Sequence, residues 1–398
     1  MVDFWGPARG RAAWLTDFWG PARGRAAWLT IVLLFCSSCG QVGGLSDEQR
    51  SEIDSVFEEV YDNAAEPGAA VVITSHGQTI YERYFGLADL ETKRPVCDST
   101  NFCIASVSKQ FAAVALLQLA SEGRLSLDDP LSKFFPEFKA TFYKRITLRH
   151  ILSHTSGIPD ARPRDDRDFV LHATDVPSVG YMINLDTLNF EPGTRYEYIN
   201  PTFQLIYQIV ERVTGEKFDD YMQRNVFDKA SMSRTTYFEA GKQIADMAHG
   251  YAWNDSLGRY EEFDYGEETF FATKADGGLY TSVRDFLRWE QALSNGKVLA
   301  DSMLREAYTP RIDIQPDANY GYQPNASYGY GFFIQQSPGQ PQIIYHTGDN
   351  GGFTIYAGKV PERDLVLLFF STRNDIDRMA IVNRVWQTLG VGNNYLKR

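Results

Sequence analysis

Residues 102–120 decide the fold, and they read Phe-Cys-Ile-Ala-Ser-Val-Ser-Lys-Gln-Phe-Ala-Ala-Val-Ala-Leu-Leu-Gln-Leu-Ala. A short apolar run ends at Ser106, and the residues after it are rich in Ala and Leu, which favour a helix. Because this helix is apolar on nearly every side, we expect it to be buried. Lys109 lies one turn after Ser106 on the same helix face.

This Ser-x-x-Lys spacing forms a chemical unit. Burial lowers the pKa of a lysine and makes it a base, and a serine hydroxyl needs an adjacent base to become a nucleophile. A helix N-terminus also favours developing negative charge. The structural alternative is that Ser106 caps the helix and Lys109 reaches solvent. A second match, Ser294 to Lys297, runs through an Asn-Gly turn and is interpreted as chance.

The composition is that of a globular protein of one large or two ordinary domains. The chain has 398 residues, 43% hydrophobic and 23% charged, with a net charge of -12. A nucleic-acid partner is not expected, because phosphate binding needs a basic face.

The N-terminal segment, residues 1–39, resembles an export signal. Residues 3–16 and 17–30 are an exact tandem copy. A short apolar run at 31–35 then precedes Cys36-Ser-Ser-Cys39-Gly40, a pattern similar to a bacterial lipoprotein processing site. We expect an exported protein, periplasmic or anchored to a bacterial membrane through a lipid on Cys39. A plain cleaved signal and an uncleaved anchor are the alternatives.

Two cysteines lie outside this segment. Cys97 and Cys103 precede Ser106, and an oxidising compartment would permit a disulfide between them. Their spacing alone cannot establish the required geometry. The pair matches no zinc pattern.

The order of elements predicts an α+β fold in which both chain ends build one antiparallel sheet flanked by helices. A helix and a hairpin open the chain, strands and a last helix close it, and a helical lobe is inserted between them. We predict a catalytic domain at 47–390, with an α/β lobe at about 47–135 and 265–390 and a helical lobe at about 136–264. The predicted C-terminal strands are 328–334, 342–346, 353–360 and 365–370, before a helix at about 375–389.

Other catalytic patterns are weak. His150 and His154 are four residues apart, but the residue after His150 is Ile151 and no third ligand is evident, so a metal site is not expected. No Gly-x-Ser-x-Gly occurs. The tyrosine-rich loop at 308–330 is interpreted as an adherent loop, with the rim of a site as the alternative.

Residues 196–215 supply further candidates. Asn200 before Pro201 predicts an N-cap, which explains Asn200 structurally, and Gly215 ends the helix. Tyr198 lies on the preceding loop, from which its hydroxyl can reach a cleft.

Three motifs now stand in order: Ser106-Val-Ser-Lys109, Tyr198-Ile-Asn200 and His346-Thr347-Gly348. With this context, residues 50–390 resemble the serine β-lactamase and penicillin-binding protein superfamily, nearest its class C β-lactamase and family VIII esterase branch. The resemblance implies acyl transfer without a cofactor or metal.

The resemblance also implies residue roles. Ser106 would attack a carbonyl, with Lys109 and Tyr198 sharing the role of base. The backbone N–H groups of Ser106 and Asp349 would form the oxyanion hole, and Asn200 would orient Lys109 or bind the substrate.

The third motif departs from the pattern, because β-lactamases usually carry Lys-Thr-Gly where this chain has His346-Thr347-Gly348. A neutral histidine weakens recognition of anionic substrates. We therefore expect a serine hydrolase of esters or small peptides. The alternatives are a β-lactamase or D-Ala-D-Ala carboxypeptidase and a non-catalytic, acylated sensor.

Overall fold

A computed structural model describes residues 44–263, 270–315 and 325–391. Its helices are α1 (Asp47–Glu58), α2 (Lys109–Ser121), α3 (Leu131–Phe134), α4 (Leu148–Leu152), α5 (Arg167–His172), α6 (Asp175–Ser178), α7 (Asn200–Thr214), α8 (Phe218–Met222), α9 (Asp228–Ala230), α10 (Val283–Ser294), α11 (Asp301–Ala307) and α12 (Arg378–Thr388).

The strands complete the set. They are β1 (Ala69–Ser75), β2 (Gln78–Phe85), β3 (Leu87–Asp89), β4 (Arg94–Pro95), β5 (Phe102–Cys103), β6 (Thr236–Tyr237), β7 (Tyr251–Asn254), β8 (Arg259–Glu262), β9 (Leu279–Thr281), β10 (Ile312–Asp313), β11 (Ala326–Tyr328), β12 (Phe333–Gln335), β13 (Ile343–Asn350), β14 (Phe353–Val360) and β15 (Leu365–Ser371).

Both ends of the chain build the main sheet, as predicted. Within the described residues its strand order is β10-β11-β12-β13-β14-β15-β1-β2, and every neighbouring pair is antiparallel. The N-terminal β1 lies beside the C-terminal β15, in a register that pairs Ala69 with Ser371. The α+β fold prediction is confirmed.

The sheet carries a hydrophobic core on each face. On one face α1 and α12 pack together through Phe57, Val382 and Trp386. On the other face the larger core surrounds α2, whose residues Lys109 to Leu119 are all buried. The prediction of a buried α2 is confirmed, since its apolar residues meet protein on every side.

Two boundary predictions in the C-terminal half and the inserted lobe are wrong. The predicted strand 328–334 is two strands, β11 and β12, separated by a turn in which Gly331 has a positive φ of 80°. The segment predicted to be helical up to 264 contains the β7–β8 hairpin. The turn at Asp255 to Gly258, between alternating aromatic residues, is the signal that reveals this hairpin. The lobe boundaries themselves remain a prediction.

The proposed disulfide is also absent. Cys97 and Cys103, both described, are not bonded to each other. Cys97 Sγ lies 3.3 Å from the Ser99 hydroxyl, whereas Cys103 Sγ points to the Gly277 carbonyl at 3.6 Å. The two cysteine side chains therefore contact different groups. The predicted export segment, with Cys39, lies outside the described residues.

Candidate active site

Ser106 occupies a tight turn between β5 and α2. A 3-10 turn, Ala105–Ser108, precedes the first residue of α2, and Ala105 has a positive φ of 45°. Such a backbone conformation costs a non-glycine residue free energy, and strained residues of this kind are enriched at active sites. Because Ser106 lies before the helix, the alternative in which it is the N-cap of α2 is wrong.

Lys109 faces Ser106 from the first turn of α2. Its Nζ donates to Ser106 Oγ at 3.0 Å and to the Asp276 carbonyl oxygen at 2.9 Å. The residue is completely buried, so the alternative of a lysine that reaches solvent is wrong. The Lys109 pKa is lowered to about 8, mainly by burial, which the Asp276 carboxyl group opposes and the charge of Arg162 reinforces. A pKa of about 8 leaves part of the amine neutral near that pH, and the neutral amine lies within reach of the hydroxyl proton.

Tyr198 lies against the same amine. Its ring centroid is 4.9 Å from Lys109 Nζ, and its ring packs on His154 at a centroid distance of 4.2 Å. The structure therefore brings Ser106, Lys109 and Tyr198 together, as their order in the sequence suggested.

His154 positions the loop that carries Tyr198. It is buried with a positive φ of 55°, its carbonyl accepts from Glu197 N–H at 3.0 Å, and its Nδ1 accepts from Ile199 N–H at 3.3 Å. Burial holds its pKa well below the usual value, so the imidazole is neutral. The role of His154 is to support Tyr198, which the sequence pattern Ser-His-Thr-Ser-Gly did not reveal.

Asn200 does not cap α7, which corrects the sequence prediction. The N-cap is Ile199, and Asn200 is the first helical residue. Its Oδ1 is buried without a hydrogen-bond partner among the described residues, and the residue lines the same cavity as Ser106. A helical Asn before Pro201 was unexpected, because residues that precede proline usually avoid that conformation. Asn200 is therefore available to the site.

The third motif lies on β13, next to the turn that carries Ser106. Beyond Tyr345, β13 pairs with no described strand other than β14, and its other edge faces the Ala105–Ser108 turn. Asp349 and Ser106 line one cavity. The Asp349 carboxylate accepts from Arg378 Nη1 at 2.7 Å, and Arg378 also contacts the Gly348 carbonyl at 3.3 Å. Arg378 thus balances the negative charge of the Asp349 carboxylate beside the cavity.

His346 carries no charge in this site. It is buried, and its Nδ1 donates to the Thr347 carbonyl at 2.7 Å while its Nε2 accepts from the Tyr328 hydroxyl at 3.0 Å. Its pKa is lowered to about 3, mainly by burial and then by the charge of nearby Lys109. Both ring nitrogens are engaged, so His346 supplies no cation to a substrate.

The cavity above Ser106 has a volume of about 510 Å³. Its lining includes residues that sequence reasoning missed, among them Arg162, Arg164, Arg167, Asp276 and Phe270. A polar segment such as 159–167 ordinarily indicates a solvent-exposed loop, and only the packing of distant segments places Arg162 here. Among the described residues, no cluster of three or more His, Cys, Asp or Glu side chains could hold a metal.

Comparison with known proteins agrees with this geometry. The family model described as Beta-lactamase matches residues 53–389. The chain belongs to the beta-lactamase family. Solved structures of similar proteins share this α+β fold, and the chain is a serine hydrolase of that family.

Three relatives illustrate the range of the beta-lactamase family. Penicillin-binding protein 4* of Bacillus subtilis is 26% identical over 83% of this chain and 73% of its own length. The octameric penicillin-binding protein homologue from Pyrococcus abyssi is 24% identical, with a TM-score of 0.73 over 86% of this chain and 78% of that chain. The D-amino acid amidase from Ochrobactrum anthropi SV3 is 22% identical, with a TM-score of 0.71 over 86% and 99%.

Proposed function

We propose that this protein hydrolyses an ester or a small peptide or amide through an acyl-enzyme on Ser106. The observation that carries the proposal is the 3.0 Å contact between Lys109 Nζ and Ser106 Oγ, made by an amine whose pKa burial lowers to about 8. A neutral amine at that distance accepts the serine proton during attack.

The chemical steps follow from the arrangement. Lys109, assisted by Tyr198, takes the proton from Ser106 as Oγ bonds to the substrate carbonyl carbon. The backbone N–H groups of Ser106 and Asp349 stabilise the resulting oxyanion. The proton then passes to the leaving alcohol or amine as its bond to carbon breaks. Water next attacks the ester on Ser106 and releases the acid.

Neutral His346 makes β-lactams and D-Ala-D-Ala peptides the second choice of substrate. Their carboxylate would find no cation on β13, since both His346 nitrogens are engaged. Similarity to penicillin-binding proteins supports this alternative. Similarity to a D-amino acid amidase supports an amide as the substrate. A protein that is acylated without turnover is the third alternative.

Export is part of the proposal. In the described parts of the chain, no helix has both the length and the apolar character that crossing a membrane requires. We propose that the N-terminal segment directs the protein out of the cytoplasm and that Cys39 carries a lipid anchor, whereas nucleic acid is not a partner. Intact mass of the mature protein from the membrane fraction tests this.

The acyl-enzyme is tested by intact mass spectrometry after mixing with p-nitrophenyl acetate and rapid acid quenching. We expect a transient mass increase of one acetyl group that maps to Ser106 and p-nitrophenol release over many turnovers. A stable stoichiometric adduct without turnover would instead support the sensor alternative. Turnover of nitrocefin with no turnover of esters would support the β-lactamase alternative.

A further inference from the structure

The cavity has basic side chains that come from segment 159–167 and not from β13. Arg162, Arg164 and Arg167 line the cavity that contains Ser106. Lys109 is occupied with Ser106 and the Asp276 carbonyl, and His346 is neutral. The positive charge that a substrate would meet therefore comes from segment 159–167 and not from the third motif.

Arg162 is held rigidly in the lining of this cavity. Its side chain is only 2% exposed, and its Nε and Nη2 donate to the Asp160 carboxylate at 2.9 and 2.7 Å. The guanidinium group stacks on Phe270 at 4.1 Å from the ring centroid. A planar guanidinium that is fixed in this way loses little entropy when it binds a further group.

One edge of this guanidinium remains available. Within the described residues, Arg162 Nη1 makes no hydrogen bond, although the residue lines the cavity. Asp160 also accepts from Arg164 Nη2 at 2.9 Å, so one carboxylate serves two guanidinium groups and the cluster has a net charge of +1.

The acidic residues of the cavity do not cancel this charge. The Asp349 carboxylate accepts from Arg378, and the single Asp276 carboxyl group interacts with the charges of both Lys109 and Arg162, so it offsets at most one of the two. Asp165 and Arg167 also line the cavity, and both are exposed and of opposite charge. The excess positive charge thus stays at Arg162 and Arg164.

We propose that Arg162 determines substrate specificity by binding a carboxylate carried by the acyl donor, so that the preferred substrates are anionic esters or amides. Nη1 of Arg162 donates to one carboxylate oxygen, with Arg164 beside it, as guanidinium groups commonly do. This inference rests on the proposed acyl-enzyme function of Ser106 and adds the class of substrate.

The test compares two esters of equal length, p-nitrophenyl butyrate and mono-p-nitrophenyl succinate, which differ in a terminal methyl or carboxylate group. We expect kcat/KM of the wild type to favour the succinate. Arg162→Gln should lower kcat/KM for the succinate by about 10- to 100-fold and for the butyrate by less than about 3-fold, the range of a hydrogen bond to a charged group. Arg259→Gln, which removes an exposed arginine of the β7–β8 hairpin, should leave the ratio unchanged.

Several outcomes would overturn the proposal. The first is a wild type whose kcat/KM does not favour the succinate. The second is an Arg162→Gln variant that loses kcat/KM equally on both esters while a fluorophosphonate still labels its Ser106. If Arg162→Gln does not fold, the wild-type preference is measured against salt: a decline between low and high ionic strength supports the proposal, and constancy overturns it. If Ser106→Ala hydrolysed the esters as fast as the wild type, the proposed function itself would be wrong.

Discussion

Gly348 of β13 lies in direct backbone contact with Ile104, two residues before Ser106. An ideal Cβ on Gly348 would overlap the Ile104 carbonyl oxygen and would also meet Ala105 Cβ at 3.2 Å. The third motif needs glycine here because β13 must closely approach the Ala105–Ser108 turn, called the nucleophile turn below. We infer that this contact helps to hold the backbone N–H groups of Ser106 and Asp349 in the arrangement that the proposed oxyanion hole needs.

Gly348→Ala should therefore damage catalysis. The added methyl group meets backbone atoms, which cannot move as a side chain does, so β13 must shift away from the nucleophile turn. We expect kcat/KM to fall by about 100-fold or more, as for loss of one oxyanion donor, together with a lower Tm. Gly277→Ala is the matched control, since Gly277 lines the same cavity but has nothing within 4 Å of its ideal Cβ. A fully active Gly348→Ala enzyme would contradict this reading of the contact.

The pH dependence of acylation should follow Lys109. Because its pKa is lowered to about 8, mainly by burial, the amine is protonated below that pH and cannot accept the serine proton. We expect kcat/KM to rise with pH through about 8 and then to level off. Pre-steady-state release of p-nitrophenol between pH 6 and 10 measures this, and a rate that falls over this range would rule out Lys109 as the base.

The same lowered pKa predicts a stability effect. Between about pH 8 and 10.5, the unfolded chain holds a proton on Lys109 that the folded chain releases. The free energy of unfolding therefore rises with pH in this window. Below pH 8 the folded chain bears the full free-energy cost of burying the protonated amine. Lys109→Met should be inactive yet more stable than wild type at pH 6, by up to about 3 kcal/mol. Urea denaturation at pH 6 provides the check. A less stable variant would indicate that the charge of Lys109 holds the site together.

Tyr198→Phe removes only the hydroxyl group. Packing of the ring on His154 is retained, so we expect Tm to stay within about 2 °C of wild type. If the hydroxyl transfers protons with Lys109, kcat should fall by about 100- to 10,000-fold. A variant with nearly normal kcat would leave Lys109 as the sole base.

Asn200→Ala separates the two interpretations of Asn200. Loss of a true N-cap costs about 1 kcal/mol, but Asn200 is already helical, and alanine is a better helix former. We expect unchanged or slightly higher stability and a fall in kcat/KM of about 10-fold or more. Reduced stability with normal activity would restore the capping interpretation.

The features of the fold and the candidate site that could be predicted from sequence are those set by interactions between residues close together in the chain. The Ser106–Lys109 contact and the buried α2 follow from residues one helical turn apart, and local periodicity is sufficient for them. The β-branched and aromatic runs of β14 and β15 likewise gave the C-terminal strands almost to the residue.

The remainder depends on contacts between distant segments. Arg162 is positioned by its contact with Phe270, which lies more than one hundred residues away in the sequence. A local sequence pattern cannot predict that contact. The helical state of Asn200 runs against the local preference of a residue before proline. His346 was rightly expected to be neutral, but its bond to Tyr328 comes from the pairing of distant strands.

The most direct test of the central claim is the hydrolysis of p-nitrophenyl acetate by wild type, Ser106→Ala and Ser294→Ala. Ser294 belongs to the other Ser-x-x-Lys match and is exposed at the end of α10, as is Lys297 beyond it. We predict that Ser106→Ala loses at least about 1,000-fold in kcat while retaining the wild-type Tm, and that Ser294→Ala keeps full activity. Equal rates for wild type and Ser106→Ala would contradict the assignment of Ser106 as the nucleophile.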